Sequence, residues 1–142
     1  MSKKELTLAE AIACGMKPIL DELMPNGEKR FRRMHEDGSG YIRTEAPPDE
    51  AKWQNAHYHK ATYELYVVQK GSVRFALLNY FSRLKIWDMM EGEAFLVRPN
   101  VHHNVLVMPG SVIHTLKYGE CPAGDWHASP ELDAFCKEEH KF

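Results

Sequence analysis

From residue 28 onward, apolar and polar positions fall into short runs rather than long amphipathic stretches. Phe, Tyr, Ile and Val recur at 29–35, 40–45, 53–59, 63–69, 73–79, 83–89, 94–98, 102–108 and 111–118. Turn-forming clusters separate them: Asp37-Gly38-Ser39-Gly40, Pro47-Pro48-Asp49, Lys70-Gly71, Glu91-Gly92 and Pro109-Gly110. Many short strands at this spacing, with no long helical period between them, predict an all-β sandwich or barrel rather than a βαβ protein. Leu65-Tyr66-Val67-Val68 is apolar on both faces, unlike a strand with one side in water. The outer face is therefore expected to be covered by the N-terminal helix or by another subunit, and a homodimer is the expectation.

The two ends of the chain read differently. Thr7-Leu8-Ala9-Glu10 has capping-box form, and Leu8, Ala11 and Ile12 follow at helical spacing, so a short helix is expected over about 8–14. Lys17 to Met24 is expected to add a second short turn, closed by Pro25-Asn26-Gly27. At the other end, Ser129 and Pro130 make an N-cap and first-turn pair. Leu132, Phe135 and Cys136 then form one apolar stripe, and 137–141 a solvated face, which reads as a docking helix. The expected organisation is one domain with an N-terminal helical segment (1–27), a β-barrel (28–120) and a C-terminal tail and helix (121–142).

Composition narrows the function. The chain has 142 residues, enough for a real hydrophobic core. A net charge of −2 argues against an electrostatic nucleic-acid or membrane-surface binder. No apolar run approaches the roughly 18 residues of a membrane span, and the N-terminus does not read as a signal peptide. The three cysteines, Cys14, Cys121 and Cys136, have no CxxC spacing. They suggest reduced thiols in a cytoplasmic protein rather than a disulfide framework or a thiolate zinc site.

The eight histidines carry the candidate chemistry. On a strand, His57 and His59 project to the same side, about 7 Å apart. A turn at Lys60–Thr62 would bring Glu64 back to face the same space. Two imidazoles and a carboxylate converging inside a barrel make a divalent-metal site that needs one or two more ligands. His103 is available at the end of a second strand pair, and alternation allows only one of His102 and His103 to point inward. His114 reads as structural, whereas His35, His127 and His140 lie near turns or the tail and are expected to be solvent-exposed. By the same alternation Trp53 and Asn55 share a face with His57, Tyr66 and Val68 with Glu64, and Val101, Val105 and Val107 with His103. The expected pocket is thus largely apolar, lined by Trp53, with Asn55 and Tyr66 as its polar groups. Tyr66 is the candidate proton-transfer residue.

His57-x-His59-x4-Glu64-x6-Gly71 resembles the first cupin motif at every position. Gly92 with His103 eleven residues later resembles the second, within Gly92-Glu93-Ala94-Phe95-Leu96-Val97-Arg98-Pro99-Asn100-Val101-His102-His103. Here Pro99 sits one position late, Asn100 replaces the usual glycine, and Val107 stands where the motif ends in asparagine. The resemblance covers roughly residues 40–118. It implies a double-stranded β-helix, the cupin jelly-roll barrel, with His57, His59, Glu64 and His103 binding one divalent Fe, Mn, Ni, Co, Cu or Zn ion. It also implies a small-molecule substrate, while charge and hydropathy leave no nucleic-acid or membrane partner expected. Because the fold hosts many reactions, the implied functions span a dioxygenase or sugar isomerase acting on a small oxygenated or carbohydrate-like molecule, and a non-catalytic metal- or ligand-binding module.

Overall fold

A computed structural model describes residues 8–13, 20–79, 81 and 83–139. Two antiparallel sheets face each other. One has six strands in the order β1 (Leu20–Leu23), β2 (Lys29–Met34), β3 (Gly40–Glu45), β10 (Val112–Gly119), β5 (Thr62–Lys70) and β8 (Ala94–Val97). The other has five, in the order β11 (His127–Ala128), β4 (His57–Tyr58), β9 (His102–Val107), β6 (Ser72–Leu78) and β7 (Leu84–Met90). This is the all-β architecture that the strand spacing predicts, in the jelly-roll form that the motif resemblance implies. Helix α1 spans Leu8–Ala13 and α2 spans Pro130–Glu139.

Most expected strands lie within a residue or two of their predicted bounds, but three local differences matter. Residues 20–23 are strand β1 rather than a helical turn, because they pair antiparallel with Lys29–Arg32 across the Pro25-Asn26-Gly27 turn; residues 14–19, Cys14 among them, lie outside the described set. The expected strand 53–59 shrinks to His57–Tyr58, with Trp53 making one isolated bridge to Leu106. Strand β11, which the sequence pattern does not announce, pairs with β4.

The core forms because inward positions alternate along each strand. Tyr66, Val68, Val73, Phe75, Met89, Val97, Val105, Val107 and Ile113 pack between the sheets. Full burial of a side chain such as Phe75 contributes about 1.5–3 kcal/mol. A second cluster, Ala56, Ala76, Leu78, Leu132 and Cys136, seats α2 on the outer face of the five-stranded sheet. The apolar stripe read from the helix sequence is the one buried there. Neither Cys121 nor Cys136 forms a disulfide among the described residues.

Gly71, the last residue of the first motif, turns β5 into β6 at φ 74°. A Cβ at that position would stand 2.1 Å from Ser111 Oγ, so both conformation and space require glycine.

Candidate metal centre

Each of the four candidate ligands reaches one point by a different local route. His57 and His103 sit directly opposite each other on β4 and β9. Glu64 arrives from the other sheet, near the start of β5. His59 follows β4 and precedes the bend at Lys60–Ala61. Their ligand atoms all lie within 4.8 Å of one another, and all four residues are buried. His102 points away, stacks on Tyr58 with ring centroids 4.1 Å apart, and lies 2.7 Å from Ser129 Oγ through Nδ1. His103 is therefore the inward member of the pair.

The orientation of the rings gives the cluster its chemistry. His57 Nδ1 donates to the Asn55 carbonyl oxygen at 2.9 Å, and His103 Nδ1 donates to that of Val101 at 2.9 Å. His59 Nδ1 is matched in the same way to the carbonyl oxygen of Asp125. A carbonyl only accepts, so each Nδ1 carries a proton, and a neutral ring presents Nε2 as a lone pair. All three Nε2 atoms face the same carboxylate oxygen. Glu64 Oε1 lies 3.5 Å from His57 Nε2 and 3.1 Å from His103 Nε2, and it touches His59 Nε2. His59 Nε2 is buried and makes no hydrogen bond.

Four Lewis bases converging in a buried space repel one another unless a cation lies among them. A proton is the smallest cation that serves. Burial works against ionisation of Glu64, yet the imidazoles of His103, His57 and His59 hold its carboxyl well below the usual carboxylate range. Burial dominates at His57 and lowers it, whereas at His59 burial is outweighed by Glu64 and the imidazole is raised. The donor set of three neutral imidazoles and one carboxylate suits a divalent transition metal, and carbonyl-anchored Nδ1 atoms are the usual outer support of such ligands.

Tyr66 lies beside the group. Its hydroxyl donates to Glu64 Oε2 at 3.2 Å, and its ring meets Phe75 edge-on at 5.0 Å. Burial, reinforced by Glu64, pushes the phenol well above its ordinary range. Trp53 and Asn55 are placed differently. The chain at 53–56 is not a strand, so alternation does not govern it. Asn55 is exposed, and Trp53 packs against the α2 cluster. Both nevertheless line a recess of about 190 Å³ that includes His57 and Trp126. Val68, Val105 and Val107 lie in the core with Val101 packed against it. His114 stacks on Tyr41 at 5.5 Å, away from the cluster. His35 and His127 are half-buried rather than exposed, His127 with its ring tilted against Tyr58 at 5.1 Å, and His140 lies outside the described residues.

Sequence reading overlooked the tail as a support for the centre. The nearly buried Asp125 carboxylate accepts from the amides of Lys60, Ala61 and Thr62 at 2.7, 3.0 and 3.1 Å, and from the Thr62 hydroxyl at 2.9 Å. One residue thus clamps the bend after His59 by its side chain and orients the His59 ring by its carbonyl. Asp133 of α2 accepts the Ala56 amide at 2.7 Å, which fixes the entry to His57. Trp126 stacks on the His57 ring at 5.4 Å. An Asp-Trp pair in a polar tail carries no spacing signal that would have revealed these roles.

Two cavities open near the centre: the recess beside Trp53, and one of about 270 Å³ that includes Arg32, Thr115, His57, Glu64 and Tyr66. A larger cavity of about 650 Å³ lies beside Tyr58, Leu77, His102 and Glu131. It includes none of the four ligands, so the convergence of donors, rather than size, locates the site.

No family model and no curated protein matches the sequence. Solved structures do resemble it. An oxalate oxidase superposes with a TM-score of 0.60 at 17% identity, over 75% of this chain and 57% of the other. A mutant oxalate decarboxylase of Bacillus subtilis gives a TM-score of 0.61 at 16% identity, over 78% of this chain and 30% of the other. KdgF from Halomonas sp. gives 0.58 at 14% identity, over 75% of this chain and 89% of the other. The chain thus spans little more than half of the oxidase and less than a third of the decarboxylase. The decarboxylase is described as having Mn(II) centres. With the two motifs and the two facing sheets, these likenesses give the chain the cupin fold.

Proposed function

We propose that this protein is a metal-dependent enzyme acting on a small oxygenated or carbohydrate-like molecule, with His57, His59, Glu64 and His103 as the ligands of one divalent transition metal. The observation that carries this reading is the convergence of three Nε2 atoms, each on a ring whose Nδ1 faces a carbonyl, upon Glu64 Oε1. When bound, such an ion supplies Lewis-acid polarisation of a chelated oxygen or, if redox-active, a centre for oxidative chemistry of the dioxygenase type. The chain's own residues do the rest. The carbonyls of Asn55, Val101 and Asp125 hold the imidazoles in one tautomer. The core beneath Tyr66 excludes water from one side. The Tyr66 hydroxyl orients Glu64 and is the proton-bearing group nearest the ligands, which makes it the candidate for proton transfer in an isomerase or oxygenase reaction. Trp53 and Asn55, beside His57, complete the substrate pocket.

Two assembly-level readings accompany this one. Tyr63 stacks on Tyr118 at 5.5 Å, and Leu116 is exposed on the same outer sheet face. That face supports a homodimer. Cys121 and Cys136 form no disulfide among the described residues, which fits a cytoplasmic location, and no described helix is long and apolar enough to cross a membrane.

The test is the metal content of protein purified without a histidine tag or chelator, beside a His59→Ala control. About one equivalent of a divalent transition metal, lost in the control, is expected. Absence of metal after incubation with each candidate ion would overturn the reading in favour of a binding or structural module.

A further inference from the structure

The polar cavity holds a feature that the ligand set does not require. Strand register places Arg32, Ile42, Thr115 and Tyr66 in one cross-strand row of the six-stranded sheet. Arg30 and Thr44 are paired two residues along, and Lys117 is paired with Glu64. These positions have the parity of Glu64 and Tyr66, so they face the barrel interior. Arg30, Arg32 and Lys117 accordingly line the 270 Å³ cavity together with His57, Glu64 and Tyr66.

The three cations are incompletely used. Arg30 Nη2 donates to Glu28 Oε1 at 2.9 Å, but its Nε is buried with no hydrogen-bond partner. Arg32 Nε lies 3.1 Å from Glu22 Oε1 outside hydrogen-bonding geometry, and it too is buried without a bond. The Lys117 ammonium has neither an ion pair nor a hydrogen bond among the described residues. Two buried guanidinium donors left unbonded at one cavity are costly unless a ligand satisfies them. Charge points the same way. Among the residues that line this cavity and their ion-pair partners, Glu22, Glu28 and Glu64 balance the three cations, so a divalent ion at the four ligands leaves two uncompensated positive charges there. Arginine forks match a carboxylate bidentately.

We infer that the substrate is a small carboxylate, its carboxylate received by Arg30, Arg32 and Lys117 and its remaining oxygens directed toward the His57–His59–Glu64–His103 group. The inference rests on the metal reading above and specifies its substrate class. The cavity of about 270 Å³ has room for a small organic acid. Thr44, Thr115 and Tyr66 supply neutral hydroxyls on the same face.

The experiment titrates malonate, and separately its neutral isostere malonamide, into the purified protein by calorimetry, with metal content measured on the same samples. Malonate should bind at least tenfold more tightly than malonamide. Arg32→Gln and Lys117→Gln should each weaken malonate about tenfold while retaining metal. Arg32 is partly buried and its replacement can disturb folding, whereas the half-exposed Lys117 gives an independent readout. Equal binding of the two probes, no malonate binding, or wild-type affinity in folded variants would overturn the inference. Loss of the metal reading shows separately, as absence of metal in wild-type protein. The preference for malonate, and its dependence on Arg32 and Lys117, then decides the inference on metal-free protein by the same criteria.

Discussion

From one end of the barrel to the other, the inward positions of β5 read Val68, Tyr66 and Glu64. Those of β9 read Val107, Val105 and His103, and those of β10 read Ile113, Thr115 and Lys117. The same strands thus contribute an apolar layer at one end and titratable or cationic groups at the other. The apolar end stabilises the fold by burial without directional demands. The polar end gathers buried charges and lone pairs that oppose folding unless an ion and a ligand occupy it. Stability and chemistry are therefore divided along the strands rather than between separate elements.

The strongest way to break this division is to damage the apolar end alone. Phe75 is fully buried and packs against Tyr66, Trp87 and Phe95. Phe75→Ala should cost about 3–5 kcal/mol of unfolding free energy. Metal stoichiometry in the folded fraction should be unchanged, because no ligand is held by Phe75 itself. Denaturant unfolding paired with metal analysis checks both. Loss of metal from protein that is still folded would show that the two ends are not separable.

Asp125 sharpens the comparison from the polar side. Asp125→Ala should lower stability by about 1–3 kcal/mol through loss of charge-assisted bonds to the Lys60–Thr62 bend, and reduce metal affinity about 10–100-fold by releasing His59. Its pH dependence follows from its carboxyl. Burial alone would raise that carboxyl, but the amides of Lys60, Ala61 and Thr62 and the Thr62 hydroxyl hold it well below the ordinary range. A depressed carboxyl contributes fully above its unfolded value, near 3.9, and loses its contribution as pH falls through the folded value. The stability gap between wild type and Asp125→Asn, measured with chelator present, should therefore be constant from about pH 5 to 7 and shrink only in stronger acid. A gap that vanishes already at pH 5 would show that the carboxylate is not the clamp.

How much of this was legible in sequence depends on the range of the interactions involved. Strand positions and the His57-x-His59-x4-Glu64 spacing are local patterns, and the structure brings those residues and His103 together as the spacing implies. Alternation allowed only one of His102 and His103 to point inward, and the eleven-residue spacing from Gly92 picked His103. Alternation failed at Trp53 and Asn55 because the segment before His57 is pinned by Asp133 and by a single bridge instead of a strand ladder. Strand β1 was obscured because its sequence, LDEL, has no β-branched residue and depends on a tertiary partner for its conformation. Asp125, Arg30 and Arg32 were illegible for a different reason. Each lies far along the chain from the residue it serves, and only the closed barrel brings them together.

Asn100 is the mildest test, since it asks whether a departure from the motif matters at the polar end. It occupies the place of the motif's glycine and adopts the left-handed conformation, φ 66°, that glycine would take. Its amide donates to the His59 carbonyl oxygen at 2.6 Å, so the turn is tied to a ligand. Asparagine tolerates this region better than other side chains. Glycine would relieve the residual strain but lose about 0.4–1 kcal/mol by loosening the unfolded chain. The two effects nearly cancel, so Asn100→Gly should shift stability by less than about 0.5 kcal/mol and leave metal affinity unchanged, whereas Asn100→Ala should cost about 1 kcal/mol. Thermal unfolding of the two variants side by side distinguishes them. A loss in Asn100→Gly as large as in Asn100→Ala would mean that the asparagine side chain, rather than the backbone conformation it permits, holds the turn beside His59.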